Sequence, residues 1–535
     1  MSGESFYVST PIYYVNELAH IGHVFTTAVA DVVARFHRLR GLDTFFLTGT
    51  DEHAAKVAEA AAKHGRTPQD WADECAQGFQ EAFARFGMSH DDFIRTSQER
   101  HTQRVRLYIA ELLESDDVYA GTYEGWYDPG QEEYVPESRA RESDYRSPIS
   151  GKPLVRKHEK NYFFRLSAYA DALRSWLNEN PDAVQPEARR HEVLGRIEGG
   201  LNDVPISRSG SGGWGIAVPG DPEQTIYVWI DALFNYLTAV DTDERRHYWP
   251  CDVHFIGKDI LWFHAVVWPA VLLALRKRPG FAWVELPRCV YAHSFWIAEG
   301  IKMSKSSGNF VDLDELDAYV ADFGLDALRY FLATRGPLGS TDSDFARARF
   351  VEVYNGDLAN TFGNSLSRVC SMARRYLEGR FTESVLKRGP CREAADRYVP
   401  RAVAAYENLE LDEAAAEALT LVRSVDLFIQ ETEPFKLAKD PACSAEVGPI
   451  LHQCAEALRL AALLLWPMMP ERMIAALRRL GCAEQASMLA ETAAGRLDPW
   501  LRWGGLELGN MLEAGPPLFP RRGDAEAQPS AKTGN

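Results

Sequence analysis

FYVSTPIYYVNELAHIGHVFTTAVADVVARFHRLRGLDTFFLTGTDEH, residues 6–53, decides the fold. Residues 6–10 form a short β-prone run, and PIYYVNELAHIGH after it has turn and loop character. From Val24 the pattern turns helical: Ala28, Val29, Val32, Val33 and Phe36 fall on one face, and Gly41 stops the helix. TFFLTG, from Thr44, reads as a second strand that ends at the polar cluster Thr50, Asp51, Glu52 and His53. Strand, helix and strand in that order predict a parallel pair joined by a right-handed crossover. Ligand sites in such sheets lie beyond the carboxyl ends of the strands, where His20, Gly22, His23 and Asp51 would gather.

The pattern returns late in the chain. DVHFIG, from Asp252, reads as a strand, ILWFHAVVWPAVLLALRK as a helix, and RCVYAHS, from Arg288, as the next strand. Between the halves, GTYEGWYDPGQEEYVPES and SRSGSGGWG are punctuated by Gly and Pro and predict an inserted, β-containing subdomain. From about residue 345 strand signals vanish and patterns such as LDEAAAEALTLVRSVDLFI predict a helical bundle. PPLFPRRGDAEAQPSAKTGN is polar and Pro-rich, with disorder expected at its end. The expected class is α/β with a split parallel sheet. Its divisions are 1–115 and 226–295 for the two sheet halves, 116–225 for the insertion, 296–345 for a loop-bearing connection, 346–505 for the bundle and 506–535 for a tail.

At 535 residues, 46% hydrophobic and 25% charged, the chain is long enough for several packed domains. Its net charge of -18 excludes whole-surface attraction to nucleic acid but allows a local basic face that reads one particular nucleic acid. The 8 cysteines form no C-x-x-C pair and no disulfide framework, so they read as reduced thiols. MSGESFYVSTP has neither a basic nor an apolar leader, and AALLLWPMM, residues 461–469, is too short to span a bilayer. A cytoplasmic protein with no membrane partner is expected.

Two motifs carry chemistry. GIKMSKSSGN, residues 300–309, sets Lys302 and Lys305 in a hydrophilic loop, where compact charges on flexible stems suit a polyphosphate. AHIGH sets His20 and His23 at a helix N-terminus, whose orphan N–H groups favour an anion. Gly22 lets a flat ligand approach the backbone, and the imidazoles can donate to phosphate oxygens as charge develops. Each motif alone also has an ordinary reading: a solvated loop, or a helix capped by His20 with His23 packed behind it. No third ligand at suitable spacing supports zinc at the histidines.

Together the motifs resemble the signature pair of class I aminoacyl-tRNA synthetases. Within that class STPIYYVNELAHIGH, FFLTGTDEH, YVWIDALFNY, FIGKDILWFH and IKMSKSSGN are similar to the methionyl-tRNA synthetase family, over about residues 5–520. The resemblance implies a Rossmann-like sheet, an α-helical anticodon-binding bundle, and ATP-dependent activation of L-methionine followed by transfer to the terminal adenosine of methionine tRNA, initiator and elongator alike. ATP is then a substrate, accompanied by Mg2+. It also implies catalytic roles for His20, His23, Lys302 and Lys305, with Lys305 acting chiefly on the transition state and Lys302 on loop closure. Gly22, Asp231, Gly257, Asp259 and His293 join these four around the nucleotide, although Asp259 also suits a helix N-cap.

The same resemblance carries methionine binding onto Ile12, Tyr14, Asp51, Trp229, Ala232, Tyr236, Phe263, His264 and Trp268. Asp51 would pair the ammonium, while Tyr236 and His264 offer polar handles for the sulfur; the aromatics also suit a plain core. Anticodon contact falls on Asn364 and Arg368, which share a helix face, and on Pro434 and Phe435, where the family carries a Pro-Trp pair. The chain departs from the family in its insertion, which lacks the cysteines of a zinc knuckle, and His158 and His191 are too isolated to replace them. No structural zinc is expected, and a monomer is expected because no appended domain is seen. The rival readings are a small-molecule adenylyltransferase, which would not need the long bundle, and an inactive scaffold that binds tRNA, which would not need all four histidines and lysines.

Overall fold

The residue Pro11 explains where the first strand goes. Ser5–Tyr14 (β1) pairs in parallel with Asp43–Asp51 (β2), in register from Ser5↔Asp43 to Ser9↔Leu47, then shifts and resumes from Ile12↔Gly49 to Tyr14↔Asp51. Proline has no N–H for the ladder, and the bulge carries the strand past it. The PIYY stretch, read from sequence as loop, is therefore strand, and it brings Ile12 and Tyr14 to the site end of the sheet. The helix between the strands, Ile21–Arg40 (α1), starts three residues earlier than its apolar periodicity suggests. It ends as expected at Gly41, whose φ of 95° closes a left-handed cap onto the Arg38 carbonyl.

The computed structural model describes residues 4–523 except 17, 130–132, 136, 148–149, 210–212, 299, 304–308, 383–388 and 492–496, and leaves the side chains of 123, 133 and 302 undescribed. Four further strands complete the central sheet: Asp92–Arg95 (β3), Val184–Gln185 (β4), Val253–Gly257 (β5) and Val290–His293 (β6). The order is β3-β2-β1-β5-β6-β4, and every pair is parallel. Chain direction across the sheet reverses between β1 and β5, which opens a crevice at their carboxyl ends. One apolar core covers the α1 face, and a second covers the opposite face.

The insertion is built on an antiparallel sheet in which Val118–Asp128 and Val155–Phe164 pair from Val118↔Phe164 to Tyr127↔Val155. At its outer end Val135, Ala140 and Leu154 form a small core under Trp126 and Tyr145. The insertion is not wholly separate from the catalytic sheet, because β4 comes from inside it and pairs with β6 at Val290↔Val184. Leu173, Leu177, Ala183 and Val184 are buried in the second core, and that burial recruits the strand.

The run ILWFHAVVWPAVLLALRK is not one regular helix. A 3-10 turn at Lys258–Ile260 and a π-turn at Phe263–Val267 precede the α-helix Trp268–Arg276. Pro269 cannot donate the helical N–H, and the widened turn before it absorbs the missing bond.

Beyond residue 346 the chain is helical. Val447–Leu465 is buried on all sides and is packed by Asn364–Leu377, Pro390–Glu407 and Leu411–Thr432. The α1 core runs without a break into this bundle. The segment expected as a tail is packed on the bundle as far as it is described: Leu506, Leu512, Leu518 and Phe519 are buried, and Tyr354 donates to the Pro520 carbonyl at 3.0 Å. Apolar residues spaced this irregularly leave no periodic signal in sequence, yet they fill gaps along the bundle. Among the described residues no helix is long and apolar enough to cross a membrane.

Candidate active site

At the mouth of α1 the two histidines cap the helix, and in doing so their protons are fixed. The Gly22 N–H donates to His20 Nδ1 at 3.0 Å, and the His20 N–H donates to His23 Nδ1 at 3.2 Å, a reciprocal capping box. Each Nδ1 is an acceptor, so each neutral ring carries its proton on Nε2. The rings lie 3.9 Å apart, with Tyr13 and Phe79 packed edge-on to His23. Burial, and then the neighbouring His20, hold the His23 pKa well below its usual value. Gly22 is required locally, since a Cβ there would meet His20 Cε1 at 2.9 Å. Capping and phosphate recognition, which compete as readings of the sequence, are compatible in the structure.

The second motif is fastened to the first. The Ile21 N–H donates to the Val311 carbonyl at 3.3 Å, and His20 forms a β-bridge with Asp312. Trp296–Ala298 pairs with Ile301–Lys302, and Asn309 Nδ2 reaches the carbonyls of Ala298 and Ile301 at 3.3 Å. The base of the KMSKS loop thus abuts the HIGH turn. Lys305 and the side chain of Lys302 lie outside the described residues.

The apolar half of the site is an aromatic wall. Trp229 stacks on Phe263 with centroids 4.1 Å apart and planes at 6°, and Tyr14 meets Trp229 edge-on at 6.1 Å. Tyr236, His264 and Trp268 are buried behind it. His264 Nδ1–H gives its proton to the Ile260 carbonyl at 3.0 Å, so its Nε2 accepts the Tyr236 hydroxyl at 2.8 Å. Burial lowers the His264 pKa to about 4, which keeps the ring neutral and the pair asymmetric. The polar handles read from sequence are therefore already bonded to each other. Asp51 is buried at the end of β2, in register with Tyr14 of β1.

The residues expected around the nucleotide divide. Gly257 ends β5, and a Cβ on it would come within 2.5 Å of the Asp259 carboxylate, so that carboxylate lies over bare backbone. Asp259 does not cap its helix; Gly257 occupies the cap position. His293 is buried, gives Nδ1–H to the Ser294 carbonyl at 2.7 Å and accepts the Thr26 hydroxyl at 2.8 Å, which braces the first turns of α1 from behind. Asp231, 1% exposed, spends its oxygens on His53 at 2.6 Å and His101 at 2.8 Å. The side chains of His293 and Asp231 thus face protein groups.

Sequence reading passed over His53, His101 and His254. His254 lies under Tyr236 with ring centroids 4.2 Å apart and takes Ser9 Oγ at 2.7 Å on Nδ1. The DEH and HFIGKD stretches contain His53 and His254, but their partners are far away in sequence and no spacing rule reveals them. In the bundle, Arg368 binds Asp426 at 2.9 Å, and Ser365 binds the same carboxylate at 2.7 Å. Asn364 is exposed, Pro434 is buried, and Phe435 is 38% exposed, so its ring stands outside the bundle core.

A parallel sheet with a crevice at its switch point, a histidine pair at the helix mouth and, abutting it, the base of the lysine-bearing loop define a class I tRNA synthetase catalytic domain. The family model described as tRNA synthetases class I (M) matches residues 6–144 and 140–370. The methionine–tRNA ligase of Caldanaerobacter subterraneus subsp. tengcongensis is 40% identical, over 97% of this chain and 79% of that protein, and the Bacillus subtilis one is 38% identical over 97% and 78%. The structure of Mycobacterium tuberculosis methionyl-tRNA synthetase in complex with methionyl-adenylate superposes with a TM-score of 0.86 at 35% identity, covering 97% of this chain and 100% of that one. The chain belongs to the methionine–tRNA ligase family.

Proposed function

We infer that the protein activates L-methionine with ATP, forming methionyl-adenylate and pyrophosphate, and transfers the methionyl group to the terminal adenosine of methionine tRNA. The methionine carboxylate attacks the α-phosphorus, and negative charge grows on the α-phosphoryl and leaving pyrophosphate oxygens. No protein nucleophile is needed; positioned donors and cations lower the barrier. The observation that carries this reading is the capping box, which leaves Nε2 of both His20 and His23 as the protonated nitrogen at a helix N-terminus. Lys302 and Lys305 supply positive charge to the same phosphates, and Mg2+ arrives with ATP as part of that substrate. Gly257 and Asp259 lie along the nucleotide.

Methionine lies with its ammonium on Asp51 and its side chain among Ile12, Tyr14, Trp229, Ala232, Phe263 and the Tyr236–His264 pair, where a flexible thioether suits aromatic faces. Asn364, Arg368, Pro434 and Phe435 meet the anticodon of initiator and elongator tRNA. The protein acts as a cytoplasmic monomer. Methionine-dependent exchange of labelled pyrophosphate into ATP tests the reaction: exchange with another amino acid in place of methionine would overturn the specificity.

The insertion keeps its fold without zinc. The reading rests on a sequence with no cysteine between Cys75 and Cys251 and on the small core of Val135, Ala140 and Leu154 at the tip. Protein purified without chelator should carry no stoichiometric zinc and should keep its exchange activity in a zinc-selective chelator. One zinc per chain by elemental analysis would refute this.

A further inference from the structure

Asp231 lies on Val228–Leu233, a six-residue helix with no side-chain cap that also carries Trp229 and Ala232 of the amino-acid pocket. Its two oxygens accept Nδ1–H of His53, just past β2, and Nε2–H of His101, on the helix Glu99–Leu113. With that proton committed, His101 Nδ1 takes the Thr238 hydroxyl at 2.9 Å. Three segments distant in sequence are thus tied at one carboxylate: the end of β2 with Asp51, the 99–113 helix, and the 228–238 stretch. Burial alone would raise the Asp231 pKa, but His53 and His101 outweigh it and hold the group at about 2, so the carboxylate is ionised at neutral pH.

We propose that Asp231 is a positioning residue that sets the distance between the ammonium end and the side-chain end of the methionine pocket, acting through His53 and His101 and touching no substrate. The proposal rests on the methionine-activating reading. A carboxylate can accept from both imidazoles. An amide offers one acceptor and one donor, so Asp231→Asn either breaks one tie or forces one ring into the other tautomer. On the His101 side that change reverses the Thr238 bond, with Nδ1–H donating to the hydroxyl and the hydroxyl donating to the Asn235 carbonyl at 3.2 Å. A pocket whose two ends drift binds methionine less well in ground state and transition state alike, while the nucleotide half is unaffected.

Pyrophosphate exchange with methionine and ATP varied in turn is the test. Asp231→Asn should raise KM for methionine about tenfold and leave KM for ATP within about twofold. His101→Leu should move methionine KM in the same direction, whereas His101→Gln, whose amide N–H can stand where Nε2–H stood, should restore most of it. If Asp231→Asn does not fold, the His101 pair and Thr238→Val, which loses only the hydroxyl, still read the tie. A rise in ATP KM with methionine KM unmoved would overturn the proposal and make Asp231 a nucleotide residue. Unchanged KM values with a lowered melting temperature, or His101→Gln as impaired as His101→Leu, would overturn it as well. Absence of methionine-dependent exchange in the wild-type protein would overturn the methionine-activating reading and this proposal with it, a pattern distinct from normal exchange with unmoved variant KM values.

Discussion

Under the proposed function, a single ring on the bundle surface should separate amino-acid activation from tRNA charging. Phe435 is 38% exposed on the four-residue turn Pro434–Leu437, which follows Glu433 in the left-handed region at φ 44°. An aromatic ring held out of the core in this way can stack an unpaired base, an interaction worth roughly 1 to 3 kcal/mol. Phe435→Ala should therefore lower charging of methionine tRNA roughly 5- to 150-fold at subsaturating tRNA and leave pyrophosphate exchange unchanged. Phe435→Trp, with a larger π-face, should charge at least as well as the parent. Normal charging by the alanine variant would remove Phe435 from the anticodon site. Arg368 differs in kind: its ion pair with Asp426 fixes the guanidinium plane but screens its charge.

At the scale of one element, the helix Leu325–Arg335 starts under strain. Asp326 is 3% exposed; its Oδ2 accepts the Arg472 N–H at 2.6 Å, and Oδ1 has no hydrogen-bond partner among the described residues. Burial pushes its pKa up to about 6, and the Arg472 N–H and Arg329 only partly offset that. A carboxyl whose pKa rises on folding binds its proton more tightly in the native state, so its ionisation costs stability as pH climbs from about 4 through 6. Asp326→Asn should accordingly stabilise the protein by up to about 2 kcal/mol at pH 8 and by almost nothing at pH 4. Urea denaturation at the two pH values checks this; an equal effect at both would show that ionisation is not the cause.

Across the whole molecule, one buried arginine ties the catalytic domain to the bundle. Arg329, 1% exposed, binds Asp31 of α1 at 2.6 Å, the carbonyls of Phe86 and Gly87 at 3.3 and 3.4 Å, and those of Pro467 and Met468 in the bundle at 3.4 and 3.3 Å. Burial alone would raise the Asp31 pKa, but Arg35, Arg329 and Ser89 hold it far below the usual carboxylate range. Arg329→Met leaves that carboxylate short of a partner and should cost about 3 to 5 kcal/mol. Melting followed by catalytic-domain and bundle probes should shift down together, and adding Asp31→Asn should recover part of the loss. A variant that melts like the parent would show that the joint carries no stability.

Local patterns in the chain were enough to locate β1, α1 and β2, the Gly41 stop, the histidine pair at the helix mouth and the helical second half, because each depends on residues within a few turns of one another. The identity of the aromatic wall came from resemblance, and the stacked Trp229 and Phe263 rings fit it. Other features depended on residues hundreds of positions apart. Pro11 is strand only because β2 lies beside it, β4 joins the sheet only because β6 is there to pair with, and Leu518 and Phe519 pack only because the bundle leaves room for them. The same holds at the site: only the folded turn shows that His20 and His23 cap the helix through Nδ1, which leaves their protons on Nε2. Asp231 could be read as a nucleotide contact until His53 and His101 were found on its oxygens. Periodicity decides which residues form an element; only packing between elements decides which side chain a buried carboxylate or imidazole will meet.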